Sequence, residues 1–181
     1  MNRSVPVRSN NNLIIVGNGS SLLNSNNGRK IDNFNTVVRF NSFKIKGFEK
    51  DVGTKTDIWF TVNGAHINDI NNFTTVIAHS WEWDPNRCKM FQRLLAKRSD
   101  CIKISRDFVR NNVAIHGPST GIIAIFWFLE RYDSLTLTGF DWWDCKKHHY
   151  GDREARGTLH NPRKEFEIIN SLIKEGRITF L

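Results

Sequence analysis

The stretch Leu13-Ile14-Ile15-Val16-Gly17-Asn18-Gly19-Ser20-Ser21 passes from four apolar residues straight into glycine and small polar residues. Such a run reads as a strand buried on both faces that stops at a tight loop. The pattern recurs outward from it. Residues 36–40, 57–62, 74–78, 101–104 and 135–138 read as further strands. Residues 86–97, 121–132 and 162–174 read as helices, with 177–180 following the last. Continuous apolar strands alternating with helices predict an α/β fold whose mostly parallel sheet is covered on both faces. The chain divides into a polar, Asn-rich arm at 1–12 and one domain over 13–181, without an internal repeat.

The bulk numbers agree with that division. A chain of 181 residues that is 39% hydrophobic is long enough for one continuous core. The longest apolar run, 121–129, falls well short of the ~20 residues that span a bilayer, and 13–16 is too short for a signal peptide. The expectation for the chain as given is a cytoplasmic protein, peripheral to anionic membrane at most. Cys88, Cys101 and Cys145 match no zinc spacing and read as reduced structural thiols. A net charge of +8 calls for an anionic partner, which nucleic acid, a lipid surface or a small substrate would each satisfy.

In open parallel sheets ligands bind beyond the carboxyl ends of the strands, so the loops there carry the candidates. Gly17-Asn18-Gly19-Ser20-Ser21 brings backbone within reach of a ligand, but it has neither the third glycine of a dinucleotide loop nor the lysine of a P-loop. An ordinary tight turn is an equal reading of it. Gly117-Pro118-Ser119-Thr120-Gly121 precedes the apolar helix, where Ser119 or Thr120 caps a helix start that suits an anion. A simple cap is the competing reading. Lys146-Lys147-His148-His149-Tyr150 is a third candidate, and His160 before Asn161-Pro162 is a fourth, on the rim of another helix start.

Taken in order, these stretches resemble the four motifs of the animal-type sialyltransferase family (glycosyltransferase family 29). Residues 13–56, through Val37-Val38-Arg39-Phe40-Asn41 and Asp51-Val52-Gly53-Thr54-Lys55-Thr56, resemble its long motif. Residues 117–129 with Leu137-Thr138-Gly139-Phe140-Asp141 resemble its short motif, His149-Tyr150 its third, and His160 with Glu165 its very short motif.

The resemblance implies a Rossmann-like nucleotide-binding sandwich, a variant of the GT-A type, and a CMP-sugar donor consumed with inversion, without cofactor or metal. It implies that Asn18, Gly19, Ser20 and Asn41 contact the nucleotide, and that Ser119, Thr120 and Gly121 line the donor pocket. His149 and Tyr150 would hold the leaving phosphate, and His160 would be the base. The acceptor would be a glycan or lipooligosaccharide. The chain departs from the family in having no cysteine in 13–62 or 112–130, where a disulfide usually joins the long and short motifs, and the sequence as given shows no stretch expected to serve as the family's anchor and stem. Those departures point towards a microbial or viral relative using CMP-sialic acid or another CMP-linked acidic sugar such as CMP-Kdo.

Three rival readings compete with this one. Six tryptophans and thirteen phenylalanines on a basic chain describe a nucleic-acid surface, but Phe126, Trp127 and Phe128 fall in the core helix and the basic residues are scattered, so no nucleic-acid partner is expected. A non-catalytic sugar-nucleotide binder would not need His149 and His160. A metal-dependent transferase would use Asp-x-Asp, of which Glu82-Trp83-Asp84 and Asp152-Arg153-Glu154 are imperfect versions.

Overall fold

A computed structural model describes residues 12–62, 70–79, 85–141, 147–151 and 160–181. Within them seven strands form one sheet: β1 (Leu13–Val16), β2 (Thr36–Phe40), β3 (Ile58–Val62), β4 (Thr75–His79), β5 (Ile102–Lys103), β6 (Leu135–Thr138) and β7 (Ile178–Phe180). Their order is β5-β4-β3-β2-β1-β6-β7, and every neighbouring pair is parallel. The helices are α1 (Gly28–Asp32), α2 (Glu49–Val52), α3 (Pro85–Lys97), α4 (Arg106–Asn112), α5 (Thr120–Leu129) and α6 (Pro162–Lys174). The α/β reading with a parallel sheet holds. Nearly all of the expected arm, residues 1–11, lies outside the described residues.

Because strand side chains alternate between faces, each apolar strand feeds two cores. Ile15, Val38, Phe60 and Ile77 pack with Ile122, Ile125 and Phe128 of α5 and Ile169 of α6. On the opposite face Ile14, Val16 and Val37 meet Ile31 and Val52, while Trp59, Val76 and Ala78 meet Phe91 and Leu94 of α3. Helix α5 has five fully buried side chains, including Ile122, Ile123 and Phe128. At about 1.5–3 kcal/mol for each large apolar side chain, its burial anchors that layer. Among the described residues no helix is long and apolar enough to cross a membrane.

The sequence reading missed α1, α2 and α4, which are four to seven residues long and too short to show a helical period. The α5 helix starts one residue earlier and ends three residues earlier than expected, where the Arg131 and Tyr132 N–H groups close on the Phe128 carbonyl before the chain turns into β6.

The segment 51–56 of the long motif is a scaffold. Arg39, 2% exposed, donates to the carbonyls of Val52 (2.6 Å) and Lys55 (3.1 Å), and burial lowers its pKa to about 10. Asp32 in turn accepts from the N–H groups of Thr54 and Lys55 at 2.8 and 2.9 Å.

Strand order reverses at β1, whose neighbours β2 and β6 belong to the two opposite halves of the sheet. A crevice opens at such a switch point because the connections leave in opposite directions.

Candidate functional site

At that switch point lies a cavity of about 180 Å³. Its floor is the loop after β1, Gly17, Asn18 and Gly19, beside Gly139, Phe140 and Asp141 after β6. Backbone joins the two loops: the Gly17 N–H donates to the Thr138 carbonyl and the Gly19 N–H to that of Gly139, both at 2.8 Å. A β-carbon on Gly17 would overlap the Gly139 carbonyl oxygen, and one on Gly19 would stand within 2.7 Å of both Asp141 carboxylate oxygens. The backbone contact therefore requires glycine at 17, while a side chain at 19 would displace the Asp141 carboxylate. Asp141 also accepts from the Ser20 hydroxyl at 3.2 Å, the Ser21 N–H at 2.8 Å and the Ser21 hydroxyl.

Opposite stands the start of α5. The Ser119 hydroxyl accepts from the Ile122 N–H at 3.3 Å, capping the helix. Ser119 is held in turn by Glu165 of α6, 1% exposed, whose two oxygens accept from the Ser119 N–H and hydroxyl at 2.8 Å each. Thr120 and Gly121 present first-turn N–H groups, which have no intrahelical acceptor, at the positive end of the helix. Asn161 caps α6 by accepting from the Lys164 N–H at 3.1 Å, with Pro162 in the first turn.

His160, just before that cap, lines the cavity. Its Nδ1 lies 2.8 Å from the Gly117 carbonyl. A carbonyl can only accept, so Nδ1 carries the hydrogen and Nε2 is the acceptor of the neutral ring.

Asn41 closes the side of the cavity at the end of β2, with φ of 42°, a left-handed geometry that asparagine tolerates. Its side-chain oxygen accepts from the Val62 N–H at 2.9 Å, and its amide reaches the Thr120 hydroxyl at 3.5 Å. The Asn18 amide donates to the Ser42 carbonyl at 3.1 Å.

The structure thus brings together Asn18, Gly19, Asn41, Ser119, Thr120, Gly121 and His160. It leaves three expected residues off this cavity. Ser20 faces a neighbouring cavity of about 460 Å³ on the far side of Asp141. His149 is 5% exposed, its Nε2 2.9 Å from the Lys44 carbonyl and its Nδ1 3.3 Å from that of Asn18. Tyr150 donates its hydroxyl to the Ser42 carbonyl. The reason is register: the 147–149 strip pairs with the β1 loop, His148 bridging to Gly19 and the His149 N–H donating to the Asn18 carbonyl at 2.9 Å. Lys147 and His148 line the cavity, and the His148 ring stacks on Tyr150 with centroids 5.0 Å apart.

Sequence reasoning did not single out His148, Phe140 or Asp141 as site residues. Asp141 left one signal, a carboxylate two residues beyond a strand-ending glycine. Glu82, Asp84, Asp152 and Glu154 of the metal reading, with Cys145 and Lys146, lie outside the described residues.

Residues 6–86 match the model of glycosyltransferase family 29 (sialyltransferase). Over 48 residues the chain is 56% identical to the Homo sapiens CMP-N-acetylneuraminate-beta-1,4-galactoside alpha-2,3-sialyltransferase, covering 26% of this chain and 13% of that protein. A longer match, 23% identical over 207 residues, joins 91% of this chain to 62% of the Rattus norvegicus CMP-N-acetylneuraminate-beta-galactosamide-alpha-2,3-sialyltransferase 4. The chain therefore spans less than two thirds of the curated relatives it matches. Among solved structures, a mammalian sialyltransferase superposes with a TM-score of 0.71 at 22% identity, over 93% of this chain and 68% of that one. The same fold appears in a structure in complex with Gal-beta-1-3GalNAc-ortho-nitrophenol. The alpha-2,3-sialyltransferase Cst-I from Campylobacter jejuni gives 0.67 at 16% identity, over 100% of this chain and 79% of that one. The Rossmann-like, GT-A-like fold is that of these structures.

Proposed function

We propose that this chain, whose residues 6–86 match the sialyltransferase family model, is an inverting glycosyltransferase that moves sialic acid or a related acidic sugar from a CMP donor to a hydroxyl of a glycan. The observation that carries the reading is the orientation of His160: its Nδ1–H is spent on Gly117, which leaves Nε2 as acceptor in a cavity that also holds an exposed helix start.

In this reading Asn18, Gly19 and Asn41 contact the nucleotide. The positive start of α5, at Ser119, Thr120 and Gly121, takes the donor's phosphate or carboxylate. Lys147 and His148 face the leaving phosphate, the part that the sequence resemblance assigned to His149. His149 and Tyr150 support them from below by tying the strip to the carbonyls of Lys44, Asn18 and Ser42. As the acceptor oxygen bonds to the anomeric carbon, its proton passes to His160 Nε2. The bond from that carbon to the phosphate oxygen breaks, and its electron pair leaves with CMP. The Gly117 carbonyl stabilises the positive ring so formed. Cationic groups and helix N–H groups neutralise the departing phosphate, so no metal is required, and turnover persists in EDTA.

The donor is tested by titrating CMP against UMP, GMP and AMP, and the reaction by offering CMP-sialic acid with a β-galactoside acceptor. Selective CMP binding with transfer supports the proposal. Equal binding of all four nucleotides, or turnover lost in EDTA and restored by Mg²⁺ or Mn²⁺, overturns it.

A further inference from the structure

Asp141 is not required by the chemistry above, yet its carboxylate accepts three hydrogen bonds at the cavity. One oxygen accepts from the Ser20 hydroxyl and the Ser21 N–H, the other from the Ser21 hydroxyl. These donors lie 120 and 121 positions away in the chain, so the bonds join the β1 loop to the β6 loop. The carboxylate also stands where a side chain on Gly19 would go, so a bulkier residue there would displace it. On either side of it lie the two cavities, and it lines both.

We propose that Asp141 is a positioning residue: it clamps residues 17–21 so that Asn18 and Gly19 are presented to the nucleotide before the nucleotide arrives. The clamp rests on the donor site proposed above. Asp141 is not the base. Its oxygens are already occupied by three donors, whereas His160 keeps an acceptor atom for the substrate. Nor is it a binding group for the donor's anionic end, since a carboxylate repels phosphate. Its effect is preorganisation: a loop ordered in advance does not have to lose its freedom on binding.

The prediction separates geometry from charge. Asp141→Ala removes all three acceptor contacts, and CMP affinity should fall about ten-fold, the cost of re-ordering a short loop. Asp141→Asn keeps a carbonyl for the Ser21 N–H and offers its amide to a serine hydroxyl, which accepts as well as donates. It should restore CMP affinity to within about three-fold of the parent. Ser21→Ala, which leaves Asp141 in place, should weaken CMP a few-fold.

The experiment is calorimetric titration of CMP into the parent and the three variants, with melting temperature beside it. Steady-state turnover of CMP-sialic acid follows, in which KM for the donor should rise while kcat stays near the parent value. Asp141→Ala binding CMP like the parent overturns the clamp, as does Asp141→Asn failing as badly as Asp141→Ala, or a loss confined to kcat. A parent protein that does not bind CMP overturns the donor assignment instead, so the two failures are distinguishable.

Discussion

The floor of the cavity, where the loops after β1 and β6 meet, is held by backbone against backbone with one carboxylate, Asp141, beside it, whereas the opposite wall, where α5 and α6 begin, is held by side chains alone. On the floor, N–H groups of Gly17 and Gly19 bond carbonyls of the other loop, and there is no room for a β-carbon. On the wall, a buried glutamate grips a serine that caps a helix, and a histidine stands on the rim of the next. The difference separates two demands. In the proposed reaction the surface that comes close to the nucleotide is rigid and small, and the surface that exchanges a proton and holds charge is made of groups whose ionisation and reach can be tuned.

The sharpest way to break this division is at the side-chain wall. His160→Ala should lower kcat by about 10²–10⁴-fold while CMP affinity stays near that of the parent. Near-normal turnover of CMP-sialic acid on a confirmed acceptor would remove the proton from that wall altogether.

On the floor the corresponding change is Gly17→Ala. A methyl group inside the contact distance of the Gly139 carbonyl forces two strands apart, and the cost should be about 4 kcal/mol or more. Urea denaturation reads it directly. A variant as stable as the parent would mean that the two loops can separate freely, and the backbone-built floor would lose its meaning.

Acid probes the sheet beneath both. His79 at the end of β4 is 3% exposed beside the Phe60 ring, and burial pulls its pKa down to about 4. The unfolded chain takes up this proton below about pH 6.5 and the folded one only near 4, so the stability is fully present above 6.5 and is lost as pH falls through that window. The loss should approach about 3 kcal/mol, and His79→Leu should flatten that part of the pH–stability curve. An unchanged slope in the variant assigns the acid sensitivity elsewhere.

The smallest effect expected is at Glu165→Gln. The amide retains one acceptor for the Ser119 N–H and replaces a charged acceptor of the Ser119 hydroxyl by a neutral donor to it, which should cost about 1–2 kcal/mol and loosen the start of α5. Thermal denaturation should show the loss, and anion affinity should fall with it. If the variant melts like the parent, Ser119 is positioned by its own helix and the side-chain wall is simpler than described.

Much of this was legible locally. A four-residue apolar run ending in glycine gave β1 to the residue, and Asn161-Pro162 marked the start of α6 because capping is decided within a few positions. The motif order gave the resemblance to the sialyltransferase family, whose model matches residues 6–86, and the same loops proved to converge. The short helices were not legible, nor was the buried Arg39, two of whose three hydrogen-bond partners are the carbonyls of Val52 and Lys55, which carry no sequence signal.

What the sequence by itself determined is the alternation of strands and helices, and with it which loops fall at the carboxyl ends of a parallel sheet, since side-chain period and capping are properties of neighbouring residues. Which histidine of the adjacent pair faces the cavity, and why the first loop needs glycine at 17, was decided only in three dimensions. His149 is turned inward by carbonyls of Asn18 and Lys44, 131 and 105 positions away, and Asp141 reaches serines 120 and 121 positions back. Contacts of that separation depend on strand order and register, which hydrophobic period does not encode.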